Sequence, residues 1–312
     1  MKKRVDTFTS NYDGLELSAF LTAPDDGEEI KGIVQISHGM CENKERYEEL
    51  MTYLTGHGYV CAIHDHRGHG LSIKEEGDLG YMYGGGAQAI VNDLYQITRR
   101  LKKAYPDKPL ILLGHSMGSL AARTYLKEHD AAVDLLILTG SPSENSALFV
   151  GKTIAHVQKL ICGGKHKSVL LQTLSFGPYV AKFAKERSKF AWCCSDKAVV
   201  AEYDNSPLCG FPFTVDGYLA LFELMEETYN SKNWQCSNPN LPILFLSGSD
   251  DPCMESKKKL QQALNHLRRQ GYSDIIGKVY QGMRHEILNE TDKLQVYHDI
   301  LKYINRNLVT IQ

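Results

Sequence analysis

The most constraining stretch of the chain is Leu110-Ile111-Leu112-Leu113-Gly114-His115-Ser116-Met117-Gly118-Ser119-Leu120-Ala121-Ala122. An apolar run of strand length passes straight into Gly-x-Ser-x-Gly, and residues suited to a helix follow at once. Such a passage needs a turn so sharp that Cβ atoms at Gly114 and Gly118 would clash with neighbouring backbone. The turn lifts the Ser116 hydroxyl out of a sheet and aims the unpaired N–H groups of a helix start at whatever reacts there. With 26 glycines in 312 residues the five-residue pattern alone carries little weight; its strand-turn-helix setting makes Ser116 a candidate nucleophile.

Around this turn, strand-length apolar runs alternate with amphipathic stretches of helix length, from Val5 to Ser141 and again from Leu241 onward. The expected strands are Val5 to Ser10 and Leu15 to Leu21 as an opening hairpin, then Gly32 to Ile36, Tyr59 to Asp65, Leu110 to Leu113, Leu135 to Leu138, Ile243 to Leu246 and Gly277 to Tyr280. Helices are expected over Lys44 to Thr55, Ala87 to Ala104, Met117 to Glu128, Glu255 to Gln270 and Lys293 to Asn307. The pattern predicts an α/β fold, a mostly parallel central sheet with helices on both faces. Residues 142–238 break the alternation and read as a helical insertion, dividing the sheet-forming core into 1–141 and 239–312. Within the insertion, Ala147 to Cys162 can form a helix with one apolar face, stopped by Gly163-Gly164. That face can either pack on the core or meet lipid.

A serine hydroxyl is a poor nucleophile at neutral pH and needs a histidine base oriented by an acid, in the chain order Ser, Asp or Glu, His. The loop after Ile243 to Leu246 holds Asp250-Asp251-Pro252, and the loop after Gly277 to Tyr280 holds His285. Both lie at C-terminal strand ends, where α/β sheets carry their sites. Of the histidines beyond the acid loop, only His285 follows a strand. The residues leave Asp250 and Asp251 in competition, one of them being free to cap the next helix. An oxyanion needs two N–H donors. The amide of Met117, directly after the serine, is one candidate, and that of Met40, after Ser37-His38-Gly39, is the other.

Composition narrows the alternatives. Net charge is -2, so no general field holds a polyanion and nucleic-acid binding is not expected. No apolar run approaches the ~20 residues that span a bilayer, and polar residues follow Met1-Lys2-Lys3-Arg4 where an export signal needs an apolar core. A cytoplasmic protein with its eight cysteines as free thiols is expected. His64-x-His66-x-x-His69 resembles a zinc motif, but Gly68 stands where that motif needs its acid, so no metal and no cofactor are expected.

With those residues assembled, the chain resembles the α/β-hydrolase superfamily and, within it, the monoacylglycerol lipase and lysophospholipase group. His38-Gly39-Met40-Cys41-Glu42 with Arg46-Tyr47 resembles that group's oxyanion loop, and Asp65-His66-Arg67-Gly68-His69-Gly70-Leu71-Ser72 its glycine-rich turn. Asp251-Pro252 and His285-Glu286-Ile287-Leu288 resemble its acid and base segments, and Tyr203 to Phe211 part of its cap. The resemblance implies that Asp251 is the triad acid beside Ser116 and His285, and that Glu42 and Arg46 shape the polar end of a substrate pocket; the pair can equally be an ion pair bracing the loop. It implies a serine hydrolase cleaving carboxylic esters of monoacyl lipids through an acyl-enzyme, with peripheral membrane contact through the cap. A small-ester carboxylesterase, an aminopeptidase-like hydrolase and a silent ligand-binding fold are the other readings. Leu288 stands where some members carry a glycerol-holding histidine. The cap residues Leu148, Phe149, Val150, Phe176, Phe190, Trp192, Phe211 and Phe213 are candidates to line an acyl site.

Overall fold

The computed structural model describes residues 1–308. Among them, β1 (Lys2–Thr9), β2 (Glu16–Ala23), β3 (Gly32–Ser37), β4 (Tyr59–His64), β5 (Leu110–His115), β6 (Leu135–Thr139), β7 (Ile243–Gly248) and β8 (Ile275–Tyr280) form one sheet in the order β1-β2-β4-β3-β5-β6-β7-β8. The opening hairpin β1-β2 is antiparallel and joins β4 antiparallel. From β4 to β8 every neighbouring pair is parallel.

Parallel strands covered on both faces bury both sets of alternate side chains, so they read as unbroken apolar runs. Ile33, Leu112, Leu136 and Phe245 point to one core, which is closed by α2 (Gly86–Ala104), α3 (Met117–His129) and α8 (Lys257–Arg269). Val34, Leu113, Ile137 and Leu246 point to the other, closed by α1 (Glu48–Thr55) and α9 (Lys293–Leu308).

Two expected helices begin later than their sequences suggest. The stretch from Lys44 opens with a 3-10 turn over Lys44–Tyr47, because Asp65 holds both the Lys44 amide at 2.8 Å and its ammonium at 2.6 Å. Helix α8 starts at Lys257 because the Ser256 side chain accepts from Lys259 N–H. The helix cap is therefore Ser256 and neither neighbouring aspartate.

Between β6 and β7 run α4 (Leu148–Cys162), α5 (Val169–Lys182), α6 (Lys197–Asn205) and α7 (Val215–Tyr229). Gly163, at φ +82°, ends α4 where the sequence places its stop. Helix α7 is buried along most of its length and packs against α2, α3 and α4, joining the insertion to the core. In contrast, α4 and α5 leave Phe149, Leu160, Ile161 and Val169 largely exposed. Among the described residues no helix is long and apolar enough to cross a membrane.

Candidate active site

The last residue of β5 is His115 and the first of α3 is Met117, so Ser116 makes the whole turn by itself. Its backbone stands at φ +52°, ψ -117°, a region costly for any residue with a Cβ. The surrounding glycines make room for it. A Cβ on Gly118 would lie 2.0 Å from the Ser37 carbonyl oxygen, and one on Gly114 would lie 2.5 Å from the carbonyl of Gly118.

Strands β7 and β8 are neighbours, and the loops at their C-terminal ends bring Asp251 and His285 together. The His285 Nδ1 stands 3.0 Å from Asp251 Oδ1, both side chains being almost fully buried. The same oxygen accepts the Cys253 N–H at 2.8 Å, while Oδ2 meets no donor among the described residues. Asp250 is exposed, and its Oδ1 accepts from the Ser249 hydroxyl. Burial disfavours an imidazolium at His285, but the adjacent Asp251 carboxylate outweighs burial and holds its pKa well above the usual histidine value. Burial also raises the Cys253 thiol, which stays neutral near pH 7 and adds no charge beside it.

The loop after β3 carries Met40. His38, fully buried, bonds through Nδ1 to the Gly39 carbonyl at 2.8 Å, and its Nε2 accepts the His66 N–H at 2.9 Å. Nε2 is the acceptor, so Nδ1 carries the proton and donates. The carbonyl and the following N–H of one peptide point in opposite directions, so fixing the Gly39 carbonyl also fixes the Met40 N–H. Neither the Met40 nor the Met117 amide meets an acceptor among the described residues.

Two histidines of the zinc-like pattern, His66 and His69, support this loop. The ring of His69 accepts the Cys41 N–H through Nε2 and bonds the Arg67 carbonyl through Nδ1, and His66 Nε2 bonds the Ser37 hydroxyl. Among the described residues, metal-ligand atoms converge only at Asp251, Cys253 and His285.

A cleft of about 1100 Å³, counted to its open mouth, is lined by Ser116, His285, Met40, Met117 and Glu42. Of the cap residues proposed for an acyl site, Phe176, Phe190, Trp192 and Phe211 line it. Leu148, Phe149, Val150 and Phe213 do not: Phe149 and Val150 are on the outer side of α4, Leu148 packs on the core and Phe213 lies inside it. The sequence reading missed Leu120 on α3, Tyr179 and Val180 on α5, and Leu221, Phe222 and Met225 on α7, which also line the cleft. The run Tyr218 to Phe222 of α7 is apolar on every side and gives no sign in sequence of which side chains meet a cavity. Trp192 packs on the imidazole of His285 with ring centres 5.2 Å apart.

Of the two uses open to Glu42 and Arg46, the ion pair is formed. Arg46 Nη1 donates to Glu42 Oε2 at 2.9 Å, and the guanidinium forks onto Glu286 at 2.7 and 2.6 Å. Burial opposes ionisation of Glu286, yet the Arg46 charge and hydrogen bonds win and hold its pKa down at about 2. For Glu42 burial prevails over Arg46, aided by repulsion from Glu286, and its pKa is raised.

Residues 28–292 match the family model described as serine aminopeptidase, S33. The chain is 26% identical to the monoglyceride lipase of Homo sapiens over 283 residues, 90% of this chain and 84% of that protein. It is 24% identical to the monoacylglycerol lipase of Mycolicibacterium smegmatis, covering 89% of each. A thermostable carboxyl esterase from Bacillus coagulans, solved in complex with glycerol, superposes with a TM-score of 0.90 at 26% identity over 99% of both chains. A soluble variant of the Saccharomyces cerevisiae monoglyceride lipase shares the fold, with a TM-score of 0.71 at 20% identity over 97% of this chain and 94% of that one.

Proposed function

The chain belongs to the serine aminopeptidase S33 family of α/β-hydrolases and is a carboxylic ester hydrolase, and we propose that it cleaves esters of monoacyl lipids through an acyl-enzyme. Ser116 attacks the acyl carbon while His285 takes its proton. Asp251 keeps the imidazole in the tautomer that leaves Nε2 free for this task and stabilises the imidazolium as it forms. The amides of Met40 and Met117 hold the oxyanion, His285 returns the proton to the leaving alcohol, and water repeats the sequence to free the acid.

The observation that carries this reading is the meeting of three features in one cleft. They are a serine on a strained turn, a buried histidine-carboxylate pair and two backbone N–H groups without partners among the described residues. The apolar wall of Phe176, Leu221, Phe222 and Met225 suits an acyl chain, each buried methylene contributing up to ~0.8 kcal/mol. A covered cleft admits one chain more readily than three, which favours monoacylglycerols over triacylglycerols.

Peripheral membrane contact through the cap is part of the proposal. Leu160 is 88% exposed, Phe149 and Val169 are each 79% exposed and Ile161 is 77% exposed, all on α4 and α5. Residues 148–192 hold eight lysines and arginines against one acid, Glu186, and of these Lys152, Lys159 and Lys165 pair with Glu226, Asp216 and Asp78 from outside the segment. An apolar face with a basic rim fits an anionic bilayer surface.

The likeness to the glycerol-bound carboxyl esterase favours a second reading, a small-ester carboxylesterase. Catalytic efficiency along glyceryl monoesters from acetyl to palmitoyl decides between them. A rise with chain length supports the lipid substrate; a maximum at acetyl with no gain beyond butyryl supports the esterase.

A further inference from the structure

We propose that Glu286 is a specificity residue that occupies Arg46 and so makes the polar end of the cleft reject esters whose alcohol part is anionic. The inference rests on the ester-hydrolase reading and names the class of alcohol it accepts.

An arginine beside the reacting centre is ordinarily an anion clamp, because its flat fork matches a phosphate or carboxylate. Here three of its five N–H groups are already taken by carboxylates. Nη1 has two protons, one donated to Glu286 Oε1 and the other to Glu42 Oε2, while Nη2 donates to Glu286 Oε2. The face of the guanidinium is covered by the Tyr203 ring, 4.8 Å from its centre, and the Tyr203 hydroxyl is itself tied to the Cys41 carbonyl at 2.7 Å. Glu42 is held in turn, its Oε1 accepting from the Gly39 amide and from the Tyr47 hydroxyl at 2.8 Å. Nothing in this assembly is free to turn toward a ligand without breaking a buried pair.

The arrangement also decides which groups face the cleft. Glu42 and Glu286 line it and Arg46 does not. Two carboxylates share one guanidinium, so no positive charge remains for a ligand. The single lysine or arginine among the described lining residues is Lys189, which is exposed, its ammonium 4.9 Å from the centre of the Phe190 ring. With the apolar wall taking the acyl chain, the alcohol is left to this end. A neutral polyol can donate its hydroxyls to carboxylate oxygens. A phosphate or carboxylate there meets like charge with no partner, the repulsive half of a specificity device.

Glu286 lies next to His285, and an effect on turnover alone would not separate specificity from positioning. The experiment therefore compares two esters of one acyl group on the full-length chain, neutral glyceryl monobutyrate and the anionic glycerophosphate monobutyrate. The unmodified chain is expected to favour the neutral ester about a hundredfold or more in kcat/KM. In Glu286→Gln that preference should fall at least about tenfold, mainly through a lower KM for the anionic ester, and the gain should shrink with added salt. Adding Arg46→Gln should abolish the gain, since Arg46 is the group that takes the anion.

If Glu286→Gln does not fold, the unmodified chain still decides: similar efficiency on the two esters overturns the inference and leaves the ester-hydrolase reading intact. An unchanged preference in a folded Glu286→Gln overturns it as well. Hydrolysis of neither ester would remove both.

Discussion

His285 Nδ1 lies 3.0 Å from Asp251 Oδ1, although 34 residues separate them, whereas the neighbouring Asp250 turns outward to solvent. Ser249 and Asp250 form a turn closed by the Asp251 N–H on the Gly248 carbonyl, and this turn leaves Asp250 outside while Asp251 faces the imidazole. Asp251→Asn is expected to lower kcat by about three to four orders of magnitude, as loss of the orienting carboxylate does in such triads. Asp250→Asn should stay within about threefold of the parent. The reverse ranking in steady-state kinetics would assign the acid to Asp250.

The same contact sets the pH dependence. A general base must be neutral to act, and Asp251 holds His285 above its ordinary value of 6.5. The acid limb of kcat/KM should therefore fall on the alkaline side of 6.5, and Asp251→Asn should move it toward acid while lowering the plateau. For stability the sign is opposite: a raised histidine stabilises the fold fully below its unfolded pKa, and this is lost as pH rises through the folded value. A limb at or below 6.5 in the parent would contradict the coupling.

Ser116 holds its strained backbone only because Gly114 and Gly118 carry no Cβ. Ser116→Ala should fold normally, lose covalent labelling by a fluorophosphonate and lose measurable ester turnover. Gly118→Ala places a methyl against the Ser37 carbonyl and should destabilise the fold by about 2 kcal/mol or more, read by chemical denaturation. Turnover that survives Ser116→Ala would move the nucleophile elsewhere.

The outer face of α4 offers a separate test. Replacing Leu160 and Ile161 with serine removes exposed apolar area and touches nothing in the cleft. Co-sedimentation with vesicles containing anionic phospholipid should drop several-fold, while hydrolysis of dissolved glyceryl monobutyrate stays unchanged. Equal sedimentation of both proteins would remove the cap from the membrane proposal.

Behind the oxyanion loop, His38, His64, His66 and His69 are all buried, and burial pushes each pKa down, that of His69 to about 4. A histidine kept neutral in the fold but free to charge when unfolded contributes stability that is complete above pH 6.5 and is lost as pH falls toward the folded pKa. The slope is up to ~1.4 kcal/mol per pH unit for each. Denaturation midpoints should drop steeply between pH 6.5 and 4. Among the described residues His64 has no partner for either ring nitrogen and packs edge-on against Phe8, so His64→Phe should flatten that slope. An unaltered slope would place the acid sensitivity elsewhere.

The turn at Ser116 was legible because its causes are local: β5, two glycines and the start of α3 are contiguous. The mostly parallel sheet was legible for a related reason, since strands covered on both faces must be apolar throughout. The candidate roles of Met40, Met117 and His285 followed from positions just past apolar strands. The lining of the cleft was only partly legible. The sequence of α4 shows that it has an apolar face, and nothing local says whether that face meets the cleft or solvent.

What sequence alone determined, then, is the set of elements and the reactive groups at their ends, because spacing and glycine placement act over a few residues. What the tertiary structure decided is which groups meet. Asp251 was separated from Asp250 by the neighbouring strands β7 and β8, and Arg46 was claimed by Glu286 across 240 residues. Pairings at that separation depend on strand order and side-chain direction, and a buried charge takes whichever partner the packing brings within hydrogen-bond reach.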